Sequence, residues 1–182
     1  MAERMTKVLS TLSPDRVMGR AAPYSRRDIV SFYMGRLFPL SVFGMGGVGY
    51  VAWDEGLDAL SAEINSQFAF VLYGLLAAPF FETLIFAALF RFAQWVKVFP
   101  ITPVRGTLFC IGLGLLFSLA HGDRSFIQYC YTWVLGYFLA TIMYQHWCCG
   151  HERVGFFYTW LAHQIFNTQV MLFIVAIVQF NR

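Results

Sequence analysis

Charge is what this chain has least of. Only 13% of its 182 residues are Asp, Glu, Lys or Arg, while 58% are hydrophobic; soluble domains carry about 25% charged and about 45–50% apolar residues. That balance excludes an ordinary soluble domain. The basic residues form no patch that would bind nucleic acid, and no nucleic-acid partner is expected. Cysteine is equally uninformative as a framework. Of the four, Cys110 and Cys130 lie in apolar runs and Cys148 and Cys149 are adjacent, a spacing unlike C-x-x-C. They read as small hydrophobes, with palmitoylation of Cys148 or Cys149 an open pattern. There is no H-E-x-x-H to seed a zinc site, no internal repeat and no low-complexity tract. The first apolar run starts only near Leu37, so no cleavable signal peptide is expected.

What the chain does have is a series of apolar runs close to the roughly 20 residues that cross a bilayer as a helix. The expected fold is all-α, a polytopic transmembrane bundle of about five spans. These run from Leu37 to Trp53, Phe68 to Phe90 (continuing towards Val98), Gly106 to His121, Phe126 to Tyr144 and Val154 to Phe180. Residues 1–36 form a basic, partly amphipathic N-terminal segment with an interfacial helix that leads into the first span, and residues 37–182 form the transmembrane domain. In the N-terminal segment, Ser25 to Asp28 reads as a capping box with Tyr24 and Ile29 as a hydrophobic staple. Glycines 44, 46, 47 and 49 suit close helix packing, as do Gly136 and Ala140 in the fourth span. Pro100 and Pro103 end one helix and start the next. With the N-terminus inside, eleven of the thirteen basic residues fall in inner segments and only Arg124 and Arg182 fall outside. The positive-inside bias therefore predicts an integral, multi-pass membrane protein with a cytoplasmic N-terminus.

One stretch resists this bland description. In Pro79-Phe80-Phe81-Glu82-Thr83-Leu84-Ile85-Phe86, Glu82 is the only charge between Phe68 and Phe90. An acidic residue at the centre of a span costs roughly 2.5–3.5 kcal/mol on insertion scales, and so marks a functional site by default. Three more polar groups stand out in the apolar runs: His121, and the pair His163 and Asn167, four apart on one helix face. Glu82 and His121 lie symmetrically about the turn at Ile101 and Thr102, each about 20 residues or roughly 30 Å along its helix. They should sit level on antiparallel neighbours. His163 and Asn167 lie roughly 21 and 27 Å beyond the turn near Cys149, at a similar height. A carboxylate, two imidazoles and an amide from three helices can thus share one polar pocket. The carboxylate can take a proton from water, and His and Asn donors can stabilise an oxyanion.

Taken singly, each residue has a plainer role: His121 as an interfacial residue, His163 and Asn167 as polar glue between helices. Zinc is a minority alternative, with Glu82, His121 and His163 as ligands. The run His146-Trp147-Cys148-Cys149-Gly150-His151 is a second candidate on residue type, read as an interfacial loop. Otherwise no cofactor is expected.

These residues resemble the three motifs of the CPBP family (CAAX proteases and bacteriocin-processing enzymes, the Abi family) of intramembrane glutamate proteases. The family pattern is E-E-x-x-x-R, then F-x-x-x-H, then H-x-x-x-N. The second is matched by Phe117 to His121 and the third by His163 to Asn167. The first is matched in part: Glu82 leads it, but Thr83 stands in place of the second glutamate and Ala87 in place of the arginine. The resemblance spans residues 68–180 and implies an intramembrane endopeptidase. It implies Glu82 as general base, His121 as its partner, and His163 with Asn167 as the oxyanion site. Phe117, Thr83 and Arg91 would be supporting residues, Arg91 offering a guanidinium one turn beyond Ala87. The implied substrate is a peptide or protein at or in the membrane. The charge bias places Glu82 towards the outer half of the bilayer, so a prenylated cytosolic tail is not the expected substrate. The alternatives are a non-catalytic relative acting as a partner-binding or immunity protein, a zinc-dependent membrane protease, or a proton relay.

Overall fold

A computed structural model describes residues 73–96, 103–122 and 126–180, with 33–42 and positions 6, 7, 27, 30, 31 and 45 from the N-terminal part. Among the described residues all regular structure is helical. Four long helices carry the fold: α1 (Ala78–Trp95), α2 (Pro103–His121), α3 (Phe126–Cys148) and α4 (Glu152–Phe180). Three helical stretches are long and apolar enough to cross a membrane: Tyr73–Trp95, Val104–His121 and Glu152–Ile177. The protein is an all-α, membrane-type bundle. The capping box, the glycine-rich part of the first span, its acidic loop and the turn around Pro100 lie outside the described residues.

α3 was expected as a fourth lipid-crossing span. Its 23 residues give it the length, but it is not apolar enough to stand with the other three. Packing supplies the reason. α3 touches α1, α2 and α4, and from Leu135 to Trp147 every residue except Phe138 is buried. A helix shielded by its neighbours need not present an apolar surface to lipid. Its hydroxyls turn back on its own carbonyls, as Thr132 Oγ1 does to Gln128 O (2.9 Å) and Thr141 Oγ1 to Tyr137 O (2.8 Å).

Close approach of α2 and α3 depends on two glycines. A Cβ on Gly114 would lie 2.7 Å from both Trp133 O and Tyr137 N, and one on Gly136 would lie 3.0 Å from Gly114 Cα. Backbone stands against backbone, the small-residue packing expected at Gly136. Trp133 Nε1 donates to Ile111 O (3.2 Å), and Ser118 Oγ donates to Tyr129 O (2.8 Å). These bonds fix the register of α2 where the polar residues sit.

The loop expected from Gln145 to Arg153 is shorter than that. α3 continues to Cys148 and α4 begins at Glu152. Gly150, at φ +74°, provides the left-handed cap, and His151 N–H donates to His146 O (2.8 Å). His146 is therefore a buried helical residue, its Nδ1 on Ile142 O at 2.9 Å, and not part of an interfacial loop. Its polarity suggested a loop; burial inside the bundle explains it instead.

Candidate active site

Glu82 enters α1 on its second turn, and the sequence ahead of it sets that entry. Pro79 has no N–H, so the helix cannot close regularly around it. The five residues Tyr73–Ala77 form a π-helical turn. A π-spaced bond to the Gly74 carbonyl would come from residue 79, and proline has none to give. Asn167 Nδ2 donates to that carbonyl instead, at 3.2 Å. The terminus of α2 has an equally local cause. Gly122, at φ +61°, takes the left-handed cap with its N–H on Leu119 O (3.3 Å), so α2 stops at His121.

These boundaries bring three side chains together. His121 Nε2 lies 3.8 Å from Glu82 Oε1, and His163 Nε2 lies 3.4 Å from Glu82 Oε2. Glu82 is thus flanked by imidazoles from α2 and α4. His121 Nδ1 lies 2.7 Å from Phe117 O. A carbonyl only accepts, so Nδ1 carries the hydrogen there, and a neutral ring then presents its Nε2 lone pair towards Glu82. His163 is buried, its side chain 3% exposed, whereas Glu82 and His121 are 27% and 34% exposed. Two buried atoms at this place have no hydrogen-bond partner, Glu82 Oε2 and His163 Nδ1. Such groups are costly inside a protein and tend to mark function.

Phe117 is the shared shelf of the site. Its ring centroid lies 4.2 Å from that of His121 and 5.7 Å from that of His163. Phe86 packs on it from α1 at 5.7 Å. Beside Glu82 and His121 opens a cavity of about 420 Å³ between α1 and α2. Its remaining walls are apolar.

The other expected site residues lie differently. Asn167 is one turn beyond His163, and its amide is engaged by Gly74. Through that bond it anchors the backbone ahead of α1. Thr83 is buried, and its hydroxyl donates to Pro79 O (2.6 Å), so it bonds its own helix. Arg91 pairs with Glu152 at 3.2 Å with its side chain 76% exposed. It stands nine residues, or roughly 14 Å, from Glu82 and supplies that carboxylate no guanidinium. Ala87 packs against the core.

Sequence reasoning missed the Gly74 turn, although Pro79 was its signal. It also missed the clamp of Ser118 on Tyr129 O and Thr132 Oγ1 (both 2.8 Å), which no motif announces. Glu82 lies 13 residues, roughly 20 Å, from the end of α1 at Trp95; the stretch from there to the turn at Ile101 and Thr102, on which the expected depth of roughly 30 Å depends, lies outside the described residues. Among the described residues, no group of three or more His, Cys, Asp and Glu could hold a metal ion.

Comparison of the chain with family models, with curated proteins and with solved structures gives no match.

Proposed function

We propose that this chain is an intramembrane endopeptidase of the glutamate type, similar to the CPBP family, in which Glu82 activates water. One observation carries the reading: a single carboxylate lies between two imidazole Nε2 atoms at 3.8 and 3.4 Å, at the wall of a cavity inside an apolar bundle. Both separations exceed a direct hydrogen bond of about 2.7–3.2 Å.

The chemistry then follows from the groups available. Water, oriented by His121, loses a proton to Glu82 as its oxygen bonds the carbonyl carbon of the scissile amide. His163 is the buried donor for the resulting oxyanion, in a site where low dielectric strengthens the interaction. The proton on Glu82 passes to the amide nitrogen as the C–N bond breaks, releasing a carboxylate and an amine. The substrate is a peptide segment in or at the membrane. In this reading the N-terminus, Arg91, Arg105 and the 149–151 turn face the cytoplasm, in keeping with the positive-inside bias.

A second reading, a non-catalytic partner-binding protein, is favoured by Thr83 and Ala87, which stand where the family pattern has charged residues. Purified protein in proteoliposomes, offered membrane-inserting peptides, separates the two. Cleavage that disappears in Glu82→Gln and His121→Ala, with helical content intact, supports the peptidase. A chelator should leave the rate unchanged; inhibition would point to zinc. Proton flux lost in Glu82→Gln without any cleavage would favour a relay.

A further inference from the structure

The cavity beside Glu82 is polar at one end only. Glu82 and His121 form that end, while Ile85, Phe86, Leu89, Leu116, Phe117 and Ala120 line the rest. On α1 the apolar wall extends from Glu82 to Leu89, seven residues or roughly 10 Å towards the Arg91 end of the helix. On α2 it extends from His121 back to Leu116, roughly 8 Å in the same direction. Ile85 and Leu116 are exposed, 58% and 54%, so the groove opens sideways between the two helices. Its volume, about 420 Å³, falls in the range of roughly 300–1,000 Å³ typical of ligand pockets.

We infer that this groove is the specificity pocket of the proposed peptidase and takes one bulky apolar side chain flanking the scissile bond. The inference rests on the peptidase reading. The argument is one of complementarity. An occupant must offer hydrogen-bonding groups at the Glu82–His121 end and only apolar surface beyond them. A backbone amide followed by a Phe, Leu, Met or Trp side chain does both. A bilayer acyl chain has nothing to place against a carboxylate and an imidazole, and it far outruns a groove about 10 Å long. Sideways opening admits such a segment directly from the bilayer. Ala120, one residue before His121, is the narrowest wall residue, and Leu116 is one turn below it. These two set the size of side chain accepted.

The test uses full-length protein in phosphatidylcholine proteoliposomes with a series of membrane-inserting peptides that differ only in the residue flanking the cleaved bond. Cleavage should favour Phe and Leu over Ala by at least tenfold in kcat/KM, the scale on which apolar pockets discriminate. Ala120→Phe should lower the Phe-to-Ala ratio at least tenfold, and Leu116→Ala should raise the Trp-to-Phe ratio. Equal rates across the series, or ratios unmoved by both variants, overturn the pocket while leaving the peptidase standing. Absence of any cleavage by wild type overturns the peptidase. In that event photocrosslinking of the Phe and Ala peptides to Glu82→Gln still decides the groove: preferential labelling of α1 and α2 by the Phe peptide supports it. Equal labelling, or displacement of the peptide by a photoreactive phospholipid, overturns it.

Discussion

Glu82 is the residue on which stability and proposed function pull apart. A carboxylate that is three-quarters buried among Phe86, Phe117 and two imidazoles, with Oε2 lacking a hydrogen bond, is a local cost to the fold. Glu82→Gln should therefore abolish cleavage by about 10²–10⁴-fold, the usual contribution of a general base. The melting temperature in detergent should stay level or rise, as often happens when a strained functional group is removed. A variant that loses activity and melts earlier would make Glu82 a structural residue. Phe117 makes the complementary case. Phe117→Ala removes the ring on which both imidazoles rest and one wall of the groove, so it should lower kcat and raise KM together. At this scale the sequence was informative for Glu82, His121 and His163, since each is an ionisable group in an apolar run. It misled for Arg91, and it gave no sign of the bond from Asn167 to Gly74. Spacing along a helix says which residues share a face, but it cannot say that Glu152 from another helix takes the guanidinium, or that a proline leaves the Gly74 carbonyl for the amide.

At the scale of helices, position depends on backbone contacts that permit no side chain. The Gly114–Gly136 crossing holds α2 against α3, and α2 ends in His121 seven residues on from Gly114. Gly114→Ala would drive a Cβ to 2.7 Å from two backbone atoms of α3, and neither can rotate away. It should lower the melting temperature and cut activity at least tenfold, whereas Gly112→Ala, with nothing within 4 Å of its Cβ, should leave both unchanged. Equal effects of the two would show that the crossing does not position His121. Asn167→Ala tests the other anchor. With the Gly74 carbonyl released, the turn ahead of α1 loosens, so activity should fall while the Phe-to-Ala selectivity of the groove stays constant. Helix ends were legible wherever glycine or proline punctuated the chain, as at Pro103 and Gly122. They were misjudged at Gln145 to Cys148, where polar residues suggested a loop. No sequence pattern says that a polar stretch is enclosed by three other helices, and α3 is the element where hydropathy alone is weakest for that reason.

For the molecule as a whole, the proposed orientation has consequences that its own cysteines can report. Arg91, Glu152 and the 149–151 turn lie at one end of the bundle, tied together by the Arg91–Glu152 pair. Cys148 is exposed and Cys149 half-buried at that end, while Cys110 is fully buried between helices. Cys130 is the fifth residue of α3, at the other end, and is half-buried. A membrane-impermeant maleimide applied to inside-out vesicles should therefore label Cys148 and Cys149 and spare Cys110. Applied to right-side-out vesicles it should leave the Cys148–Cys149 pair untouched. Labelling of that pair from the outside would reverse the topology and turn the Arg91 end outward. The groove would then run from Glu82 towards the outer leaflet, and substrates would have to present their apolar residue from that side. The same experiment thus fixes the direction in which a peptide must enter relative to the carboxylate, and a cleavage-site series in which the flanking Phe is moved from one side of the scissile bond to the other should show one orientation cleaved at least tenfold faster.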